Sequence, residues 1–520
     1  MAYVKSGSLL TSSGGVDLFG GDPTIAAIAS GPHAGGYVVV SSSARYASEA
    51  ITGTEYIAGQ AIPIISLYYT TEHRVTLVSG DGSVVDLSSD PASLQYVERL
   101  PSVGQGPEGI TGATSGVPVV HADGSLTIVF NGVGWGFPDE IGNPESRVGY
   151  IGFNAAGEAG AGPLALTPGQ PPTGTASIYG SYGGSATILS NGEIMASLTR
   201  SGYDGVVADT RDNIQLSINL GFADRTNPVD PETVNRGDIP GALQQFTSAE
   251  KRYTSVEAFG TGAVVVWNDG LADPTDGSGD PSLDSVGVLG ALVDAAGNVT
   301  ASFGVNQAVA GVQLIVSDRS IVALGPDKFA VVWESRDISS GFSPSLQSVF
   351  VRIFSVDGTT GSAVTGDIAL GMPGDGMDRS RPSIAALADG GFVVVYERET
   401  DGFRNEDDSI VAGVAVQQFD GDGNFVGNEV TLRTRDDAPA GGLWSNPTVT
   451  QLSDGRIAVA GEVYNAETFA YETGVQTLEL NQSPTDITID NSIFAADQSG
   501  ASWILIGALG TTDGNLSDRF

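Results

Sequence analysis

The chain has 520 residues, 72 glycines, no cysteine and only 16% charged residues, with 61 acidic against 23 basic side chains for a formal net charge of −38. That composition describes a turn-dense globular chain with material for a core, not a disordered acidic tail. Its field excludes phosphate backbones and anionic membrane surfaces as favourable partners, so no nucleic acid is expected, and the lack of cysteine excludes disulfides, thiolate metal sites and a cysteine nucleophile.

The start, "MAYVKSGSLLTSSGG", has no apolar run of signal-peptide length, and nowhere do 18 apolar residues run together. Membrane insertion is not expected, and export, if it occurs, needs no cleaved N-terminal signal. From there one template recurs along the chain: "GGYVVVSS" (35–42), "GSLTIVFN" (124–131), "NGEIMASLT" (191–199), "TGAVVVWN" (261–268), "DKFAVVWE" (327–334), "GGFVVVYE" (390–397) and "GRIAVAGE" (455–462). Each is a tight turn followed by an apolar run, and a period of this kind signals a repeat architecture. A strand precedes each turn, as in "RPSIAALADGG" (381–391) and "NPTVTQLSDGR" (446–456), with proline where a strand begins. A third strand such as "VAVQQFDGDGN" (414–424) ends in a hairpin signal, and a fourth such as "FVGNEVTLRT" (425–434) closes the unit.

Four antiparallel strands per unit, with second strands apolar on both faces, match blades packed on blades. The expected fold is therefore an all-β, seven-bladed β-propeller over residues 1–481. The last unit lacks an evident fourth strand, and the N-terminal "AYVKSGSLLT" (2–11) is expected to supply it and close the ring.

The units that read "ADGGFVVVYE…VAVQQFDGDGNFVG" resemble the repeats at the front of large bacterial RTX proteins of the type I secretion class. Residues 482–520, with "SPTDITIDNSIF" and a later Asp-Gly turn, resemble the opening of a cadherin-like domain, as a linker and incomplete segment. The resemblance implies a secreted, extracellular protein that serves recognition or adhesion. It names a fold and a setting and assigns no chemistry to any residue.

Strand order places the short turns on one face of the disc and the long second-to-third connections on the other. The long ones are residues 132–146, 269–285, 335–348, 398–409 and 463–473. Long loops on a rigid scaffold are where binding usually lies, so this face is the expected working one. Near its roots stand Trp135, Trp267, Asn268, Trp333, Glu334, Arg336, Tyr396, Glu397 and Arg398. Aromatic faces, carboxylates and guanidinium groups suit a glycan or another cell-surface ligand. Against that stands blade packing and rim ion pairing, the ordinary use of such residues in propellers.

The alternative function is a polysaccharide-degrading enzyme with its site at the central channel of the same face. It would be a lyase drawing on His73, Arg74, Tyr68 and Tyr69, or a hydrolase using paired carboxylates. Calcium is the expected metal: Asp420, Asp422 and Asn424 alternate in "DGDGNFVGNE" with Glu429 beyond, offering hard oxygen donors. The stretch departs from an EF-hand loop in having Phe425 where the sharp-turn glycine belongs.

Overall fold

The computed structural model describes residues 17–57, 60–87, 95–98, 116–133, 146–158, 164–165, 177–203, 214–223, 234–238, 244–246, 254–270, 286–295, 297–307, 312–336, 347–357, 360–370, 377–400, 412–434, 444–465, 470–478, 494–496 and 502–504. Within them the chain is all-β, and its sheets follow one another in sequence with antiparallel neighbours. Six sheets have four or more strands and form blades 1 to 6, over residues 17–98, 117–165, 177–246, 254–304, 312–369 and 377–434. Trp444–Gln451, Ile457–Asn465 and Ala470–Leu478 form a further sheet of three.

The architecture is thus a β-propeller, and the expectation of seven four-stranded blades is corrected to six. The described chain adds no fourth strand to the last sheet after Leu478. The segment expected to supply it, residues 2–11, lies outside the described residues. So does most of 482–520, where Phe494–Ala496 pairs with Ser502–Ile504.

The first strands pack side by side around a common axis: Asp17–Ala27, Val117–Val120, Ser177–Ile188, Thr254–Phe259, Ile321–Ala323, Met377–Ala386 and Trp444–Gln451, which returns to Asp17–Ala27. Among the described residues, the first and last sheets meet there by side-chain packing. Ile25, Tyr37 and Val39 of blade 1 share an apolar cluster with Leu452, Ala458, Ala460 and Val475.

The second strands show why the apolar runs lack polar alternation. In Phe392–Thr400, Phe392, Val394 and Tyr396 pack toward blade 5, while Val393 and Val395 pack toward Val449, Ile457 and Val459 of the three-stranded sheet. All five are fully buried. Burial of such β-branched and aromatic residues at roughly 1.5–3 kcal/mol each is the main force holding blade to blade.

The recurrent turn glycines answer to geometry. Gly390 closes the turn Leu387–Gly391 with φ +88, and Gly455 does the same with φ +90, a conformation that L side chains rarely adopt. Gly262 is held for a different reason, since a Cβ there would lie 1.9 Å from the Val293 carbonyl oxygen of the third strand.

Candidate functional site

At the ends of the second strands, six of the residues expected to bind ligand are buried. Trp333 and Tyr396 are fully buried, Glu334 is 0% exposed, and Trp267, Asn268 and Glu397 are nearly so. Trp333 stacks on Phe350 and donates from Nε1 to Gln313 Oε1 at 2.9 Å.

The two glutamates have equivalent partners. Glu334 Oε2 accepts from the Arg381 backbone amide at 3.1 Å, and Glu397 Oε1 accepts from the Asn446 amide at 2.6 Å. Each carboxylate therefore reaches the first strand of the next sheet, at a bulge in "SRPS" or "SNPT" whose second residue has positive φ, +51 at Arg381 and +50 at Asn446. Glu397 also pairs with Arg381 Nη1 at 3.4 Å, while Glu462 takes Asn446 Nδ2 at 2.7 Å. Burial pushes the Glu397 carboxyl above its ordinary value, against the pull of Arg381 and the Asn446 amide.

Arg398 binds Glu429 at 2.9 Å, and the Tyr396 hydroxyl donates to the same carboxylate, with Arg379 at 3.8 Å. Burial, then Glu429, pushes the Tyr396 phenol up, so it is a neutral donor. Trp135 lies outside the described residues, as do most of the five long loops. Arg336 ends its strand opposite Val312 and Gln347.

Of the four residues expected to hold calcium, Asp420, Asp422 and Asn424 share one hairpin turn, and Glu429 is engaged elsewhere. Asp420 Oδ1 accepts from the amides of Asp422 and Asn424, and its Oδ2 accepts from Asn424 Nδ2, which makes it the anchor of its own hairpin turn. Burial works to raise the Asp420 carboxyl, but these bonds outweigh it and hold the group below its ordinary value. Asp422 pairs with Lys328 at 3.1 Å, and Glu429 belongs to the arginine cluster. Among the described residues no three His, Asp or Glu gather as a metal-binding group.

Of the histidines, His33 Nδ1 meets Ser79 Oγ at 2.6 Å and His121 Nε2 meets Thr127 Oγ1 at 2.8 Å, both beside short turns. His73 sits in Gln60–Val78 opposite Ser42, and its neighbour Arg74 opposite Ser41.

A concave polar site does form, on the axis. A cavity of about 230 Å3 is lined by Glu257, Asp318 and Arg319, by Ser185, Thr450 and Gln451, and by apolar residues of the first strands. Its lining comes mainly from the later residues of those strands, near the short turns, whereas the glutamate contacts lie nearer the long-loop face. Pockets that take drug-sized ligands measure roughly 300–1,000 Å3, so this one suits a single ring.

Residues 315–320 build its wall. Where blade 6 has the two-residue bulge Arg381-Pro382, blade 5 has a loop between Val312–Leu314 and Ile321–Ala323. The loop bonds three neighbouring blades: the Asp318 carbonyl accepts from Ser185 Oγ at 2.8 Å and from Ser255 Oγ at 2.7 Å, and the Arg319 carbonyl accepts from the Ile384 amide at 3.0 Å. Ser320 N donates to Ser255 Oγ, and Ser320 Oγ to the Ser317 carbonyl. Asn268 holds the loop's root by both ends of its amide, donating to the Ile315 carbonyl at 3.0 Å and accepting from the Ile315 amide.

On the neighbouring first strand, Thr254–Phe259, Glu257 stands half-buried and lines the same cavity. Burial pushes its carboxyl up to about 7, with Arg319 and the Ala323 amide pulling the other way. At neutral pH the group is thus divided between acid and carboxylate.

Sequence reading missed Glu257, Asp318 and Arg319. Their signal is the break in the repeat: "TSVEAF" carries an acid where sibling first strands have an uncharged residue such as Ala385 or Thr450, and "VSDRSIVA" replaces the Ser-X-Pro bulge.

No family model and no curated protein matches the chain. Among solved structures it is similar to a protein of unknown function from Dyadobacter fermentans, at 14% identity and a TM-score of 0.40, covering 70% of this chain and 93% of that one. An α-L-arabinofuranosidase from Fusarium graminearum gives 12% identity and 0.34, with 61% and 88% covered. A mutant of the NanB sialidase from Streptococcus pneumoniae gives 10% and 0.36, with 91% and 94% covered. Likenesses at this level assign no chemistry to the present chain.

Proposed function

We propose that the protein binds a carbohydrate in the axial cavity, within an extracellular recognition protein. The observation that carries this is the convergence of Glu257, Asp318 and Arg319 with Ser185, Thr450 and Gln451 on one small concave site walled by rigid strands. Sugar hydroxyls need several fixed donors and acceptors at once, and backbone-anchored side chains around a closed ring supply them without large ordering costs. The extracellular setting is supported by the net charge of −38 and by the resemblance of the strand-turn units.

A glycan array probed with the full chain tests the reading. At least one glycan class is expected to bind, with affinity falling about tenfold or more in Ala386→Leu, which narrows the cavity. Binding that survives this substitution unchanged in a folded variant would place the ligand elsewhere.

A second reading, cleavage of the bound sugar, is favoured by Glu257. A carboxyl raised to about 7 keeps a proton to give at neutral pH, which is what a general acid needs, and Asp318 on the same wall is a second carboxylate. Release of reducing ends by the wild type but not by Glu257→Gln would support it. Release of none from any bound glycan would leave recognition as the function.

A further inference from the structure

We propose that the axial cavity selects a sugar bearing a carboxylate, with the Arg319 guanidinium taking the carboxylate and the Glu257 carboxyl donating a hydrogen bond beside it. The proposal rests on the reading of this cavity as a carbohydrate site and names the class of sugar.

Arginines with described side chains are mostly paired. Arg352, Arg379, Arg381, Arg398 and Arg456 each reach a carboxylate, at distances between 2.7 and 3.8 Å. Arg319 differs from all of them. Its backbone is fixed by Ser317 Oγ and the Ile384 amide, yet its guanidinium makes no hydrogen bond or ion pair among the described residues while it lines the cavity. A partly buried guanidinium with an unused fork of donors matches the two oxygens of a carboxylate better than it matches scattered hydroxyls.

The carboxylate nearest to hand does not fill that role. Glu257 feels Arg319 electrostatically without forming an ion pair, and burial raises its carboxyl to about 7 in spite of that attraction. In acid form Glu257 is a donor, so the pair offers an incoming anion a cation and a hydrogen bond together. Asp318 is the other titratable group on the wall, and it opposes an anion. Apart from Glu257, the described strand residues that line the cavity are uncharged, Ser185, Ala386, Thr450 and Gln451 among them. At long range the net charge of −38 repels an acidic ligand, an effect that physiological salt largely screens.

Calorimetric titration of the full chain in physiological salt with galacturonate, glucuronate, galactose, glucose and acetate, at pH 6 and pH 8, tests the proposal. The acidic sugars are expected to bind at least tenfold more tightly than their neutral counterparts at pH 6. Their affinity should fall as the pH rises through about 7, where Glu257 loses its proton. Arg319→Met should erase the preference for acid sugars, and Glu257→Gln should keep binding at pH 6 and flatten the pH dependence. Should Arg319→Met prove unfolded by circular dichroism, the pH profile of Glu257→Gln decides.

Equal binding of acidic and neutral sugars, or acid-sugar binding undiminished in a folded Arg319→Met, overturns the proposal while leaving the carbohydrate reading in place. Acetate bound as tightly as galacturonate also overturns it, since the cavity would then recognise a bare carboxylate. If no sugar binds at all, the carbohydrate reading falls as well.

Discussion

Glu397 and Glu257 are both carboxylates next to the first strands of a propeller, both are raised by burial, and they are used in opposite ways. Glu397 spends its oxygens on Ser380 Oγ and Arg381 of its own sheet and on the Asn446 amide, which fastens that sheet to the next. Glu257 accepts only a weak pull from the Ala323 amide and Arg319 and keeps its carboxyl at the wall of an open cavity. The contrast teaches that a buried acid in a repeat protein is structural when its partners recur from unit to unit, as Glu334 and Glu397 do, and a candidate for function when they do not.

The largest expected effect is that of Glu397→Ala. It removes the acceptor of a buried amide and of a serine hydroxyl, which is expected to cost about 3 kcal/mol of stability in urea unfolding. Sugar binding in the folded fraction should stay unchanged. A binding loss without a stability loss would reverse the roles assigned to the two acids.

Glu257→Gln should act in the other direction and depend on pH. Between about 4.5 and about 7 the folded chain holds a proton on Glu257 that the unfolded chain has released, so stability falls as pH rises through that window. The full loss is up to roughly 3 kcal/mol, less whatever solvent screens at this half-buried site. The glutamine variant, free of that loss, should be more stable than the wild type at pH 8 and equal to it at pH 4. Equal curves at both values would show that Glu257 is not desolvated.

Asn268→Ala is expected to cost about 2 kcal/mol, since two buried backbone groups of Ile315 lose their partners. Unlike Glu397→Ala it should also weaken ligand binding, because the 315–320 loop carries Arg319. The smallest effect belongs to Asn446→Gly. Glycine relieves the positive φ and keeps the amide bond to Glu397 while losing the side-chain bonds to Glu462 and Arg381, so the net change should stay at about 1 kcal/mol. Proteolysis or calorimetry showing a larger loss would make the side chain, not the amide, the true fastening.

These differences explain what the sequence made legible. The strand-turn template was readable because each copy repeats the same turn and the same two-sided apolar run, as the split burial of Phe392 to Tyr396 between two clusters shows. The strand count of the last sheet was not, since pairing is a long-range property and no local pattern near Leu478 settles it.

For the site, residue types misled. Trp333 and Glu334 stand where a binding rim is plausible, but side-chain direction and the bulge of the next blade determine what they meet. Glu257 and Arg319 are about sixty residues apart and meet only because the ring brings blades 4 and 5 side by side. The departures from the repeat at "TSVEAF" and "VSDRS" were visible, but their common destination was not.

The central claim is the location of the ligand, and a crystal structure of the full chain soaked with an oligosaccharide that binds it tests that most directly. Ligand density is expected on the axis, in contact with Glu257, Arg319 and Gln451 near the short turns. Density confined to the long-loop face, with the axial cavity filled by solvent, would contradict it.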